Sequence, residues 1–328
     1  MEKETIKRQF VEEIAPGVFV DDRFVLSEKA VAQKRDGSNF LNVVFSDKTG
    51  SLKGVVWDNV DRITEAVSAG EVVHVRGSVS EYRGDRQLVV KQLLPVAADA
   101  VDPSDFLPVS GRDIEPMFDR LVQMTSELES DDLRELFDAF WADKDFVDRF
   151  KQAPAAKFMH HAYIGGLLEH CLSMASLADK VGRHYTGIDR ELLFAGAVLH
   201  DIGKVREFDY SVRIDYSDEG RLLSHIVIGV EMLDEKLRQI DAFSPEREHL
   251  LKHMIISHHG SREFGSPEPP KTIEAVLLNC IDEIDSKVNG IRQFIAGEDP
   301  TAAWTSYHRL LGRHFYTGGR PAKEGSSH

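Results

Sequence analysis

Side chains able to share one cation are scattered along helix-like sequence: His170, the pair His200-Asp201, His225, the pair His258-His259, and Asp282. Each lies in or beside an apolar segment with three- and four-residue spacing. They can meet only if five helices converge, so the set restricts this half of the chain to a helical bundle with a polar centre. Imidazoles and carboxylates without cysteine suit a hard-to-borderline divalent cation. One His-Asp dipeptide carries little weight. The ordered set H…HD…H…HH…D points to hydrolysis of a phosphate ester.

That chemistry needs a strong nucleophile and charge neutralisation on the phosphoryl oxygens. Two cations about 3.5–4 Å apart, sharing a carboxylate, supply both. Asp201 is the natural shared carboxylate, and His200 binds beside it. Lys204, in His200-Asp201-Ile202-Gly203-Lys204, is expected to face the attacked phosphate; the competing reading is a solvated cation at a helix end. His249 and His253 also have ligand spacing, four residues apart, but read as solvated. Asp282 and Asp285 lie one turn apart, and Asp282 is preferred as a ligand. His160 could cap a helix or line the cleft. His161 reads either as a support behind the ligands or as a contact to the nucleic acid.

The first part of the chain has a different period. Alternating or β-branched runs at 24–32, 40–46, 52–57, 71–79 and 87–94 are separated by Asp36-Gly37, Asp47-Lys48-Thr49-Gly50 and Gly84-Asp85. A short helical stretch at 60–69 falls between the third and fourth runs, the element order of an OB-fold barrel. The expected fold class is therefore multidomain: an all-β OB-fold barrel followed by an all-α bundle. The expected boundaries are 1–95 for the barrel, 96–112 for a linker with Pro103, Pro108 and Gly111, and 113–155 for a helical connecting segment. The bundle follows at 156–313 and a flexible tail at 314–328. Helices are expected at 114–129, 131–139 and 162–181. Further ones are expected at 192–200 (capped by Asp189, stopped by Gly203), 225–240, 246–259 (started by Ser244-Pro245, stopped by Gly260) and 272–289.

OB-folds grip single strands by stacking bases on exposed aromatics beside a basic track. Phe24, Phe40, Phe45, Trp57 and Tyr82 are the aromatic candidates, with Lys29, Lys34, Arg35, Arg83 and Arg86 nearby. Phe45 alternates with Val43 on one strand face and reads as core. The preferred nucleic-acid contacts are Phe40, Tyr82, Lys34, Arg35, Arg83 and His161.

A net charge of −15 looks wrong for a protein that binds a polyanion. Its distribution removes the conflict, because residues 101–150 alone hold 14 acidic side chains against 5 basic ones. A basic track can persist elsewhere. That acidic segment could pack against a second copy in a homo-oligomer, although a solvated face is the commoner arrangement. No apolar run reaches the roughly 18 residues of a spanning helix, and the charged start does not read as a signal peptide. Cys171 and Cys280 read as reduced, buried residues of a cytoplasmic protein.

The stretches 160–170, 199–204, 225–229, 252–260, 264–267 and 281–287 together resemble the HD-domain metal-dependent phosphohydrolases. With the barrel included, the whole chain is similar to the YhaM-type 3′→5′ exoribonucleases of bacteria. The resemblance implies one ion held by His170, His200, Asp201 and Asp282, and a second held by Asp201, His225, His258 and His259. It implies Mn²⁺ as the first choice, with Mg²⁺, Fe²⁺ or Co²⁺ as alternatives. It further implies cleavage of single-stranded RNA, and of single-stranded DNA as a second substrate, to nucleoside monophosphates. Asp201 and Lys204 would carry the catalytic step. Some two-metal relatives place a further Glu ligand where this chain has Gly166, and the Gly-Tyr-Pro signature of the cyclic-dinucleotide branch is missing. The rival readings are an HD hydrolase of free nucleotides or cyclic dinucleotides, and a non-catalytic single-strand binder.

Overall fold

The computed structural model describes residues 7–34, 36–82, 84–97, 101–157 and 161–318. Five strands form a closed barrel: β1 (Phe19–Gln33), β2 (Asn39–Asp47), β3 (Gly50–Val56), β4 (Val72–Tyr82) and β5 (Asp85–Pro95). The order around the barrel is β1-β2-β3-β5-β4, with β3 and β5 parallel. Helix α1 (Val60–Ala66) lies between β3 and β4, as in an OB-fold. Strand β1 serves two neighbours, β4 over its first half and β2 over its second, and an irregularity at Leu26/Glu28 marks the changeover. Alternation then sends Leu41, Val43 and Phe45 inward from β2, where they meet Phe24, Leu26 and Leu88.

The barrel corrects part of the aromatic reading. Phe24, like Phe45, is buried core and cannot stack on a base. Two of the expected cations are structural. Lys29 Nζ donates to Thr64 O (2.8 Å) and Val67 O (2.6 Å), closing the end of α1. Arg86 Nη1 donates to Val11 O (3.0 Å) and Ile14 O (2.6 Å), fastening the segment before β1.

The second half contains α2 (Ile114–Ser126), α3 (Asp131–Trp141), α4 (Lys144–Gln152), α5 (Gly166–His184), α6 (Arg190–Leu199), α7 (Lys204–Glu207), α8 (Asp218–Leu237), α9 (Pro245–Ser257) and α10 (Ile273–Ala296). Asp189 and Ser244 cap α6 and α9 as their sequence positions predict, each accepting from a backbone N–H three residues on. Helix α4 is an addition to the expected list. Asp143 caps it, and Phe146, Val147 and Phe150 anchor its inner face in the bundle core. Gly203 is not a helix stop. It has right-handed helical φ/ψ, and a Cβ there would lie 2.0 Å from His225 O. The glycine is required because α7 starts against the backbone of α8.

A small apolar cluster of Val25, Val72, Phe106 and Val212 joins the barrel to the linker and to the turn before α8. Cys171 is buried as expected, whereas Cys280 is exposed on α10, on the side turned away from the core. After α10 the chain forms a hairpin with bridges Trp304–Tyr316 and His308–Arg313. Paired structure therefore includes His314 to Tyr316, where a flexible tail was expected; residues 319–328 of that tail lie outside the described residues. Among the described residues no helix is long and apolar enough to cross a membrane.

Candidate metal centre and nucleic-acid interface

Helices α5, α6, α8, α9 and α10 deliver His170, His200-Asp201, His225, His258-His259 and Asp282 to one buried centre. Four of the rings are held from behind. His170 Nδ1 donates to Asp285 Oδ2 (2.8 Å) and His225 Nδ1 to Glu207 Oε1 (2.9 Å). His200 Nδ1 donates to Ala197 O (3.1 Å) and His258 Nδ1 to Ile255 O (2.6 Å). Their acceptor partners place the proton on Nδ1 in each ring, so each Nε2 lone pair points inward.

Asp201 stands between two groups of these nitrogens. Its Oδ2 is 3.6 Å from His170 Nε2 and 3.4 Å from His200 Nε2. Its Oδ1 is 3.7 Å from His225 Nε2 and 3.6 Å from His258 Nε2. Asp282 Oδ1 joins the first group, 3.5 Å from His170 Nε2. Asp201 Oδ1, His225 Nε2, His258 Nε2 and His259 Nδ1 are buried without a hydrogen-bond partner. Four such acceptor atoms facing one another are costly in a dry interior, and a divalent cation satisfies all of them. The donor set, all nitrogen and oxygen, fits that cation class.

The protonation balance agrees. Burial opposes the charged form of Asp201, yet Lys204 and His200 overcome it and hold the carboxyl well below its usual range. Burial and the neighbouring His200 push His258 well down, and burial with His225 lowers His259, which favours neutral rings with free lone pairs. His200 is the exception: it moves up despite its burial because Asp201 draws positive charge towards it. Lys204 is no solvated helix end. Its Nζ lies 2.6 Å from Asp201 Oδ2 and is largely buried.

Asp285 and Glu207 carry support that the sequence did not single out. Asp285 accepts from His170, from His161 Nε2 (3.1 Å) and from the Ser173 hydroxyl. The structure thereby separates it from Asp282, which faces the centre. Glu207 Oε1 accepts from both the backbone N–H and Nδ1 of His225, each at 2.9 Å. No motif spacing flags either residue as a support. His161 is corrected only as a nucleic-acid contact: it is buried, and its ring nitrogens contact Asp285 and Tyr163 OH, which matches the other expected role, a support behind the candidate ligands. His249 is exposed and His253 Nε2 accepts from Lys271 N, so neither joins the centre. Gly166 could not be a Glu here, because a Cβ would lie 2.0 Å from His161 O.

On the barrel, Phe40 stacks on Trp57 with ring centroids 5.1 Å apart, and Lys34 Nζ stands 5.0 Å from the Trp57 ring. Trp57 is 42% exposed, which makes it the outer ring of the stack and a candidate surface that the preferred set omitted. Tyr82 is exposed at the end of β4. Arg35 and Arg83 lie outside the described residues, as does His160.

Models of protein families match two parts of the chain: an HD domain over residues 167–287 and an OB-fold nucleic acid binding domain over 26–96. A third, described as "Putative helicase", matches 107–187, yet the chain has no G-x-x-x-x-G-K-[ST] phosphate loop. Among curated proteins, the chain is 34% identical over 297 residues to "3'-5' exoribonuclease YhaM" of Listeria monocytogenes serotype 4b (strain CLIP80459), covering 90% of this chain and 94% of that protein. It is 35% identical over 283 residues to the protein of the same name from Geobacillus sp. (strain WCH70), covering 86% of each. The corresponding Bacillus subtilis (strain 168) protein is 33% identical over 303 residues, with 92% and 95% covered.

Proposed function

Because the chain belongs to the YhaM family of 3′→5′ exoribonucleases, we propose that it is a divalent-metal-dependent hydrolase shortening single-stranded RNA from its 3′ end. Nucleoside monophosphates are the products, and single-stranded DNA is a second substrate. The reading places the enzyme in the cytoplasm with its RNA.

The observation that carries it is the two-sided placement of Asp201, with one oxygen towards His170 and His200 and the other towards His225 and His258. His170, His200, Asp201 and Asp282 would hold one ion, and Asp201, His225, His258 and His259 a second. Mn²⁺ is the first choice, and Mg²⁺, Fe²⁺ and Co²⁺ suit the same donors. When bound, such ions supply Lewis-acid charge for the phosphoryl oxygens and acidify water. The protein's own groups do the rest. Asp285 and Glu207 keep the protons of His170 and His225 on Nδ1. Lys204 holds a fixed positive charge beside Asp201, placed to offset charge on the phosphate in the transition state. The Phe40–Trp57 stack and Lys34 retain the strand by stacking and charge, with little demand on sequence.

The direct test incubates metal-stripped protein with 5′-labelled single-stranded RNA, with and without Mn²⁺, beside Asp201→Asn. A descending ladder that requires both the metal and Asp201 is expected. Intact RNA in every lane, with metal bound, would overturn the reading in favour of nucleotide hydrolysis or binding alone.

A further inference from the structure

The hairpin after α10 has a composition unlike the rest of the chain. Residues 301–318 contain no Asp or Glu, but two Arg and two His, in a chain of net charge −15. Its two faces differ. His308 and Phe315 pack on Phe294 of α10, with ring centroids 4.6 Å and 6.3 Å away, and Thr305 is buried beneath them. Trp304, Tyr307 and Tyr316 point outward and are 59%, 54% and 66% exposed. Trp304 and Tyr316 oppose each other across the hairpin, centroids 5.1 Å apart.

The acids just before the hairpin are already engaged. Glu298 accepts from Ser306 N and Ser306 Oγ, both at 2.6 Å, and Asp299 accepts from Thr301. Among the described residues neither Arg309 nor Arg313 pairs with a carboxylate, and Arg313 Nε donates to Leu311 O. Three outward aromatic rings on one short element, flanked by uncompensated guanidinium groups, match the stacking-plus-phosphate chemistry of single-strand grips.

We propose that this hairpin is a second platform for single-stranded RNA: bases stack on Trp304, Tyr307 and Tyr316, and Arg309 and Arg313 meet the phosphates. The proposal rests on the exoribonuclease reading above. The hairpin's anchor, Phe294, lies on the same helix as Asp282, about 18 Å further along its axis at ~1.5 Å per residue. One rigid element therefore connects the platform to the candidate metal centre.

The test measures binding of a fluorescent, nuclease-resistant 2′-O-methyl oligouridine 20-mer to the full-length protein in Mn²⁺, over a range of salt. Trp304→Ala/Tyr316→Ala weakens binding at least about tenfold, the loss expected when one or more stacked bases are released. Trp304→Phe/Tyr316→Phe restores most of it. Arg309→Gln/Arg313→Gln lowers the slope of log affinity against log salt by about 1.4, at ~0.7 per single-strand phosphate contact. If the alanine pair destabilises the fold, the arginine pair decides. Wild-type affinity in the alanine pair together with a wild-type slope in the arginine pair overturns the proposal, provided Trp57→Ala still weakens binding and the exoribonuclease reading stands. Wild-type protein that neither binds nor cuts single strands overturns both. A changed sedimentation coefficient with unchanged affinity assigns the face to contact between copies of this chain and also overturns the proposal.

Discussion

Glu207 grips His225 twice, through the backbone N–H and through Nδ1, each at 2.9 Å from the same carboxylate oxygen. The residue before His225 shows why both contacts matter. Ser224 has φ 60° and ψ 160°, so α8 breaks immediately before the ring that must aim inward. A non-glycine residue in that region is strained and persists because its surroundings hold it. Glu207 is part of that hold.

Glu207→Gln keeps the shape but gives His225 a weaker acceptor. We expect Mn²⁺ affinity to fall about 10- to 100-fold, the usual effect of losing a carboxylate behind a ligating histidine. Metal titration followed by calorimetry reads this directly. Unchanged affinity would remove Glu207 from its supporting role.

Metal addition is expected to raise the melting temperature of the wild type. A ligand at a hundred times its Kd stabilises by about 2.7 kcal/mol. Asp201→Asn, lacking the charge that faces both groups of nitrogens, should show little of that rise. An equal shift in both proteins would place the ions elsewhere.

Gly203→Ala places a methyl group 2.0 Å from His225 O, which is backbone and cannot swing away. We expect a loss of at least about 1–3 kcal/mol in urea unfolding, together with loss of nuclease activity because α7 and α8 separate at Asp201 and His225. A stable, active variant would mean that this close approach is relaxed in solution.

Asp132 links α3 to α9. Its Oδ1 accepts from Arg247 Nη1 at 2.5 Å and from Ser130 Oγ at 2.6 Å. Burial raises this carboxyl, but Ser130 and Arg247 outweigh burial and leave it below its usual range. A carboxyl lowered on folding stabilises above its unfolded value, and the contribution disappears as pH falls through the folded one. Asp132→Asn should therefore cost about 1.5 kcal/mol near neutrality, with the gap from wild type closing towards acid. Urea midpoints across pH 7 to 3 test the sign, and a gap that widens towards acid contradicts it.

Trp57→Ala should weaken single-stranded RNA binding by about 1–3 kcal/mol, the cost of one lost stacking ring, and raise KM on long RNA more than it lowers kcat. Fluorescence anisotropy and steady-state kinetics on one substrate check both halves.

That these side chains meet could be read from sequence, because each lies in or just past a helix with strong apolar spacing, so convergence follows from packing. The supports were harder to see. Glu207 belongs to a helix of one turn, and its role depends on a backbone break at Ser224 that no residue pattern announces. Asp285 has the right chemistry for a ligand, and only three-dimensional placement shows it behind His170 instead of beside it. The aromatics divided by strand register. Phe45 could be assigned to the core from its alternation with Val43, whereas Phe24 lies in β1, whose long course past two neighbours hides which face is inner. Helix α4 gives little periodic signal, because three buried residues, Phe146, Val147 and Phe150, are its whole apolar face amid charged neighbours.

Asp201 offers its two oxygens to two different groups of nitrogens, and this has a thermodynamic consequence. Occupancy of either half changes the charge and position of a carboxylate that the other half also needs. Two ions held as proposed would therefore be energetically coupled, and whatever factor the first imposed on the second, the second would impose on the first. Metal loading of this protein should not follow two independent isotherms, and its active fraction at limiting metal should differ from the product of two separate occupancies.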